Sequence, residues 1–426
     1  MLMQLMLVAI LAAPPADTAT TSYEVAGIRV IHRPLAANEI VAVNLYLLGG
    51  SRQLTPELAG VEGMLLRVSE FGTQGYPGRE ARLALARTGS RTVLSTDSDW
   101  TLFGFRGIRT EFDSTWNVFA DRVMRPALDS AGLEVVRRRM LRSARSRRVQ
   151  PDDMLRVLAD SVAFNGHPYA HDTEGTEGSI QALTADVLRA WHQAEMVKSR
   201  MLLVVVGNIP RAQIEAVVNR TLANLPVGSY AWSLPPEWTA AQAAITSLNR
   251  RLPTNYILGW FAGPRSDSPD YAAFRVATMI LGGIASNEIR DAGLSYAAYA
   301  PFLERGASGG GIYVTTTRPD TTMKIFNATI EFLRDNTVNR SILQRYYDGF
   351  ITNYYSENES NAGQADFLAR YQLLHGDWQR AALYMEDLKR VQGTHIRSAV
   401  RKYMRNIQYV YIGNTAWIPE REMKEF

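Results

Sequence analysis

Apolar positions along the chain follow two periods. Residues 40–48, Ile-Val-Ala-Val-Asn-Leu-Tyr-Leu-Leu, are rich in β-branched and aromatic side chains and stop at Gly49-Gly50, which predicts a strand. A polar loop over 51–57 leads to apolar residues at Val61, Met64, Leu65 and Val68, a spacing that buries one face of a helix. Upstream, 23–33 reads as two short strands turning at Ala26-Gly27. Downstream, the spacing predicts a short helix over 81–88, strands over 91–95 and 100–106, and helices over 110–124, 129–146 and 151–163. Thr184 stands as an N-cap before an apolar-periodic run to His192. Residues 201–206 are continuously apolar, a buried strand stopped by Gly207-Asn208, and a helix over 210–222 follows.

The pattern then repeats. Residues 256–262, a polar loop over 263–270 and a helix over 271–281 reproduce the strand, loop and helix of 40–68. Tyr409-Val-Tyr-Ile-Gly-Asn414 reproduces Val204-Val-Val-Gly-Asn208. Two correspondences in the same order, both offset by a little over 200 residues, predict a duplicated domain. Proline and small residues over 226–245 read as a linker, and helices follow over 341–357, 362–374 and 394–404. Strands and long helices mix without strict alternation, so the expected class is α+β: two similar domains, each a mostly antiparallel sheet layered with helices.

Composition narrows the function. At 426 residues the chain is long enough for more than one core. A net charge of +4 does not argue for a nucleic-acid surface. Seven arginines fall between Arg137 and Arg148 at every helical angle, and read as a solvated face. With no cysteine, disulfides, a thiolate nucleophile and cysteine-based metal sites are excluded. Residues 1–13 form an apolar run too short to span a bilayer, followed by small residues, so 1–19 is expected to be a secretory signal peptide. Its lack of Lys and Arg leaves a short membrane anchor or a mis-called start as the alternative; with the signal peptide, a secreted or periplasmic location is expected.

Several segments, taken in order, resemble the pitrilysin/insulinase family of zinc peptidases, in its mitochondrial-processing-peptidase-like branch. They are Ala59-Gly60 before the first helix and Phe71-Gly-Thr73 after it, Gly166-His-Pro-Tyr169, Gly175-Thr-Glu-Gly-Ser-Ile180, and Gly293-Leu-Ser-Tyr296 in the second half. The resemblance implies peptidase-like domains over 20–225 and 246–426, paired as in a clam-shell half. It also implies a zinc motif, His-x-x-Glu-His on the first helix with a Glu from a later one. Two His at i and i+4 share one helical face, and the Glu between them activates a metal-bound water. Those positions here hold Gly63, Leu66 and Arg67, and the later ligand falls near Ser143. No metal and no cofactor are therefore expected in this chain. Glu62 and Glu70 lack a His partner and read as solvated helix-end carboxylates, His167 and His171 as parts of a structural turn. Gly306-Ala-Ser-Gly-Gly310 fits a nucleophile-elbow spacing, but a strand follows it where a helix is required, so a flexible loop is expected.

What the resemblance retains is an Arg and a Tyr that bind substrate, falling on Arg290 and Tyr296. Residues 280–288 occupy the place of a glycine-containing substrate loop, or mark a helix stop at Gly282. The expectation is a non-catalytic, substrate-binding subunit of a heterodimeric zinc peptidase acting on peptides or unfolded polypeptides, with zinc on the partner. The alternative is a catalytically inactive peptide-binding or scaffold protein of the same fold.

Overall fold

The computed structural model describes residues 20–426, so the expected leader over 1–19 lies outside the described residues. The first sheet contains β1 (Thr21–Val25), β2 (Ile28–Arg33), β3 (Ile40–Leu48), β4 (Arg91–Thr96), β5 (Trp100–Ile108) and β6 (Met201–Val206). The second contains β7 (Ala244–Asn249), β8 (Asn255–Arg265), β10 (Phe302–Leu303), β11 (Ala307–Thr316) and β12 (Gln408–Gly413), with β9 (Ala298–Tyr299) pairing β11 at its side. β3 lies between β5 and β6, antiparallel to both, and β2 runs parallel to β6. In the second sheet β8 lies between β11 and β12, again antiparallel to both, and β7 runs parallel to β12. The same pairing thus recurs around β3 and around β8. The class is α+β, two sheets layered with helices.

Alternation along β3 explains its unbroken hydrophobicity. Val41, Val43, Leu45 and Leu47 face the helices of their own half, packing with Met64, Leu65, Phe103 and Phe119. Ala42, Tyr46 and Leu48 face the other way and share a core with Ala365, Leu368 and Ala369 of the Asn361–His375 helix, nearly 320 residues along the chain. The second sheet is treated reciprocally. Ile257 and Phe261 of β8 pack on the Tyr271–Asp291 helix, whereas Leu258 and Trp260 share a core with Leu155, Ala159 and Ala163 of the Pro151–Ala163 helix. Each half therefore covers one face of the other's sheet, and both central strands are buried on both sides.

Two sets of buried polar groups are paired at this seam. The Tyr169 hydroxyl donates to Asp99 Oδ2 at 2.7 Å, which also accepts the Gly306 N–H at 3.0 Å; the Tyr169 oxygen accepts the Ala307 N–H at 3.2 Å. Burial pushes the Asp99 carboxyl pKa up, and those two donors act against the rise. A second relay starts at Glu304, held by Arg275 and Arg370 at 2.6 Å each. Arg370 continues to Asp366, which accepts the Tyr46 hydroxyl of β3 at 3.1 Å. Burial favours the neutral Glu304, but the two guanidinium groups outweigh it and hold the pKa at about 2.

Three expectations change. The second-half helix does not stop at Gly282 but runs Tyr271–Asp291, so 280–288 is neither a loop nor a helix end. Gly282 is there for contact: a Cβ would stand 2.9 Å from the Ala300 N. Gly306–Gly310 is not a loop either. Residues from Ala307 belong to β11, and buried Ser308 donates to the Pro264 carbonyl at 2.6 Å, which removes any nucleophile role. Nor are the arginines of the Ser130–Val149 helix merely solvated. Arg137 donates to the carbonyls of Ile180, Gln181 and Leu183, and Arg145, Arg147 and Arg148 bind Glu177, Asp172 and Glu177. Residues 225–243 carry neither helix nor strand, yet Trp238 is buried and donates to the Ser308 carbonyl.

Removing the Tyr169 hydroxyl leaves a buried carboxylate and an amide short of a partner. Tyr169→Phe is expected to lower unfolding free energy by about 1–3 kcal/mol, read from urea titration; an unchanged midpoint would contradict the role given to the seam. Glu304 has a depressed pKa, so its contribution is complete above its usual value of 4.5 and is lost as pH falls towards about 2. Glu304→Gln should flatten that part of the acid-unfolding profile followed by circular dichroism, and an identical pH slope in the variant would rule this out.

Candidate functional site

The Val61–Val68 helix begins in a tight corner. Gly60, at φ +86°, is its N-cap, and a Cβ there would stand 2.8 Å from the Glu174 carbonyl; on the facing loop Gly175, also at φ +86°, meets the Ala59 carbonyl. The Ser179 hydroxyl donates to the same Ala59 carbonyl at 2.9 Å. These close approaches lock the helix start to the 172–179 segment. They set the 172–179 segment directly beside Gly63 and Arg67, two of the positions that the resemblance compares with a zinc motif.

At those positions the structure assembles an ion pair. Gly63 and Arg67, one turn apart, are brought together: Arg67 Nη1 lies 2.5 Å from where a Gly63 Cβ would stand. The guanidinium thus fills the space left by the absent side chain. Its Nη2 donates to both Glu174 carboxylate oxygens, at 2.8 and 3.2 Å, and the Thr96 hydroxyl of β4 donates to Glu174 Oε1 at 2.5 Å. Leu66 is fully buried in the first core. Ser143 is exposed and linked to the same corner only through Arg147, which binds Ser143, Asp172 and the Gly175 carbonyl.

These residues do not fit zinc. A glycine and a leucine offer no ligand atom, and Arg67 carries a permanent positive charge in the space a cation would need. Among the described residues no three His, Asp or Glu side chains gather in a way that could hold a metal.

Glu62 corrects a sequence expectation. It is not solvated but 5% exposed, accepting from Arg200 Nη2 and from the Thr101 hydroxyl, both at 2.6 Å. Arg200 also donates to the Leu48 carbonyl, so this buried pair joins the helix to the sheet. Glu70 is half-buried and lies near Arg122, whose pKa burial lowers to about 10 against the opposing pull of Glu70. His167 does sit in a turn, accepting the Tyr169 N–H on Nδ1 while Nε2 meets the Pro236 carbonyl at 2.9 Å. His171 follows that turn, its carbonyl bound by the Ser51 hydroxyl.

The second-half residues stand elsewhere. Arg290 is in the last turn of the Tyr271–Asp291 helix and exposed. Tyr296, in the turn that follows, is 95% exposed, and neither side chain makes a hydrogen bond or ion pair among the described residues. Sequence reasoning missed Glu174 and Thr96 as partners of Arg67, and Arg200 as the partner of Glu62. The one available signal was the excess of acids, Asp172, Glu174 and Glu177, in a segment facing an arginine-rich helix.

Residues 29–177 match the insulinase family (peptidase family M16), and residues 182–350 match the peptidase M16 inactive domain. The chain belongs to the M16 insulinase family. Among M16 relatives, the uncharacterized zinc protease YmxG of Bacillus subtilis is 22% identical over 191 residues, 45% of this chain and 47% of that protein. The mitochondrial-processing peptidase subunit beta of Lentinula edodes is 22% identical over 251 residues, 57% of this chain and 53% of that protein. The chain thus spans about half the length of these relatives. In fold it matches the crystal structure of a peptidase M16 inactive domain from Pseudomonas fluorescens, with a TM-score of 0.83 at 19% identity, covering 93% of this chain and 98% of that one.

Because Arg67 and Glu174 are each about a third exposed, their pairing contributes little to stability. Arg67→Ala is expected to cost no more than about 1 kcal/mol in urea unfolding. Neither variant nor parent should retain stoichiometric zinc after loading and dialysis, as measured by atomic absorption. Stoichiometric zinc in the parent chain would overturn the site described.

Proposed function

We propose that the chain is the non-catalytic, substrate-binding subunit of a heterodimeric M16 zinc peptidase that degrades peptides or processes unfolded polypeptides. The observation that carries this reading is the contrast between the two halves. The first holds an arginine–glutamate pair where family enzymes hold a metal. The second presents Arg290 and Tyr296 unpaired and exposed at one helix end. A side chain with 95% exposure and no internal partner contributes nothing to the fold, which leaves it free for a ligand.

On this reading Arg290 and Tyr296 donate hydrogen bonds to a substrate carbonyl as negative charge develops on its oxygen, a task suited to a guanidinium and a phenol. A partner subunit of the same family supplies His-x-x-Glu-His and the zinc. Support for a two-chain arrangement comes from the relative named as a processing-peptidase subunit. The leader expected at 1–19 would place the pair in a secreted or periplasmic location.

A second reading is favoured by β4, which closes the first sheet as an edge strand beside Glu174 and Arg67. An extended peptide could add to that edge without being cut, making the chain a peptide-binding scaffold. The two readings separate at Tyr296. In the assembled complex Tyr296→Phe is expected to slow peptide cleavage about tenfold or more, with assembly by size-exclusion chromatography unchanged. Cleavage at the full rate would eliminate the role given to Tyr296.

A further inference from the structure

One concavity stands far from both places just described. A cavity of about 630 Å³, within the range of small-molecule sites, opens at the N-terminal end of the Tyr271–Asp291 helix. Arg290 lies 19 residues further along that helix, which at the usual rise per residue is roughly 28 Å away. The cavity belongs to neither the Arg67–Glu174 corner nor the Arg290–Tyr296 end.

Its wall is aromatic. Tyr271, Tyr371, His375 and Tyr384 all line it. His375 sits with its ring centroid 4.6 Å from Tyr371 and 5.3 Å from Tyr271. Burial lowers the His375 pKa to about 4, so its ring is neutral at physiological pH and adds flat, uncharged surface. Arg275, which also lines the cavity, donates to Glu304 at 2.6 Å and lies over the Tyr384 ring.

Its charged groups differ in how firmly they are held. Asp267 is chelated by Arg265 at 2.6 and 3.0 Å, and Asp270 is bound by Lys402 and Tyr403 at 2.8 Å each. Arg380 and Arg390 are held far more loosely. They share one carboxylate, Asp387, at 3.4 Å apiece, and Arg390 reaches Glu386 only at 3.6 Å. Both are largely exposed, at 48% and 72%. Loosely held by Asp387 and Glu386, the two guanidinium groups keep further N–H donors that a ligand carboxylate can take up. The helix start adds to this bias, since the Ala272 and Ala273 N–H groups, which line the cavity, have no partner among the described residues.

We propose that this cavity binds an aromatic carboxylate, its ring against Tyr371 and His375 and its carboxylate between Arg380 and Arg390. A free aromatic acid and the C-terminus of a peptide ending in an aromatic residue share this chemistry. Aromatic walls supply contact area at low cost in conformational freedom, and a bidentate guanidinium reads a carboxylate against its amide. The inference is independent of any peptidase role, because it concerns binding by the isolated chain.

Isothermal titration calorimetry on the full chain tests it, with N-acetylphenylalanine, its amide, N-acetylalanine, and the peptide Gly-Gly-Gly-Phe as acid and as amide. N-acetylphenylalanine is expected to bind saturably, and both the amide and N-acetylalanine about tenfold or more weakly. The double variant Arg380→Gln/Arg390→Gln, changed only at exposed positions, is expected to bind the acid no better than the amide while its urea midpoint stays put. Binding of the tetrapeptide acid as well assigns the site to peptide C-termini; binding of N-acetylphenylalanine alone assigns it to a free acid. No saturable binding of either acid, equal affinity for acid and amide, or an unaltered acid affinity in the double variant would each overturn the proposal.

Discussion

Each half of this protein lends a helix to the other. The Pro151–Ala163 helix covers β8 and β12 of the second sheet, and the Asn361–His375 helix covers β3 and β6 of the first. Neither sheet has both faces covered without the opposite half, so separation would expose rows of apolar side chains to water. The seam's polar contents follow from the same constraint. Asp99, Tyr169, Asp366 and Tyr46 meet across it, and each has a partner because a buried polar group without one is costly. A rigid frame of this kind holds the Val61–Val68 corner and the end of the Tyr271–Asp291 helix in fixed relation, whether or not either carries chemistry.

That rigidity extends to the Arg67–Glu174 corner. The close approach of Gly60 and Gly175 fixes the backbone at the start of the Val61–Val68 helix. Arg67 supplies a fixed positive charge and Glu174 answers it, so the corner is electrostatically complete within the chain. Nothing there calls for an external cation. The buried Glu62–Arg200 pair beside it is structural, tying the helix to the sheet at the Leu48 carbonyl.

Much of the fold could be read from the chain because hydrophobic runs report burial directly. β3 and β6 were legible as strands, and their repetition around β8 and β12 as a second sheet of the same kind. Glycines misled in the second half, since Gly282 reads as a helix stop and Gly306–Gly310 as a loop. In the structure they are spacers. A Cβ at Gly310 would stand 2.3 Å from the Phe261 ring, and one at Gly311 2.6 Å from Trp260. Long-range polar partners were the other blind spot. Glu62 looked solvated because Arg200 lies 138 residues away, and nothing pointed from Arg67 to Glu174, 107 residues away. Sequence alone gave the expectation of a corner without zinc ligands, but not the Arg67–Glu174–Thr96 arrangement that stands there.

The central claim is that this chain contributes a substrate-binding half to a peptidase whose metal resides on another subunit. Isolation of the chain from its native host under mild conditions, followed by mass spectrometry and zinc analysis of what accompanies it, tests that claim most directly. The account predicts an equimolar partner of the same fold that carries His-x-x-Glu-His, with zinc in proportion to that partner. A chain recovered only with copies of itself, free of zinc and of peptidase activity, would contradict it.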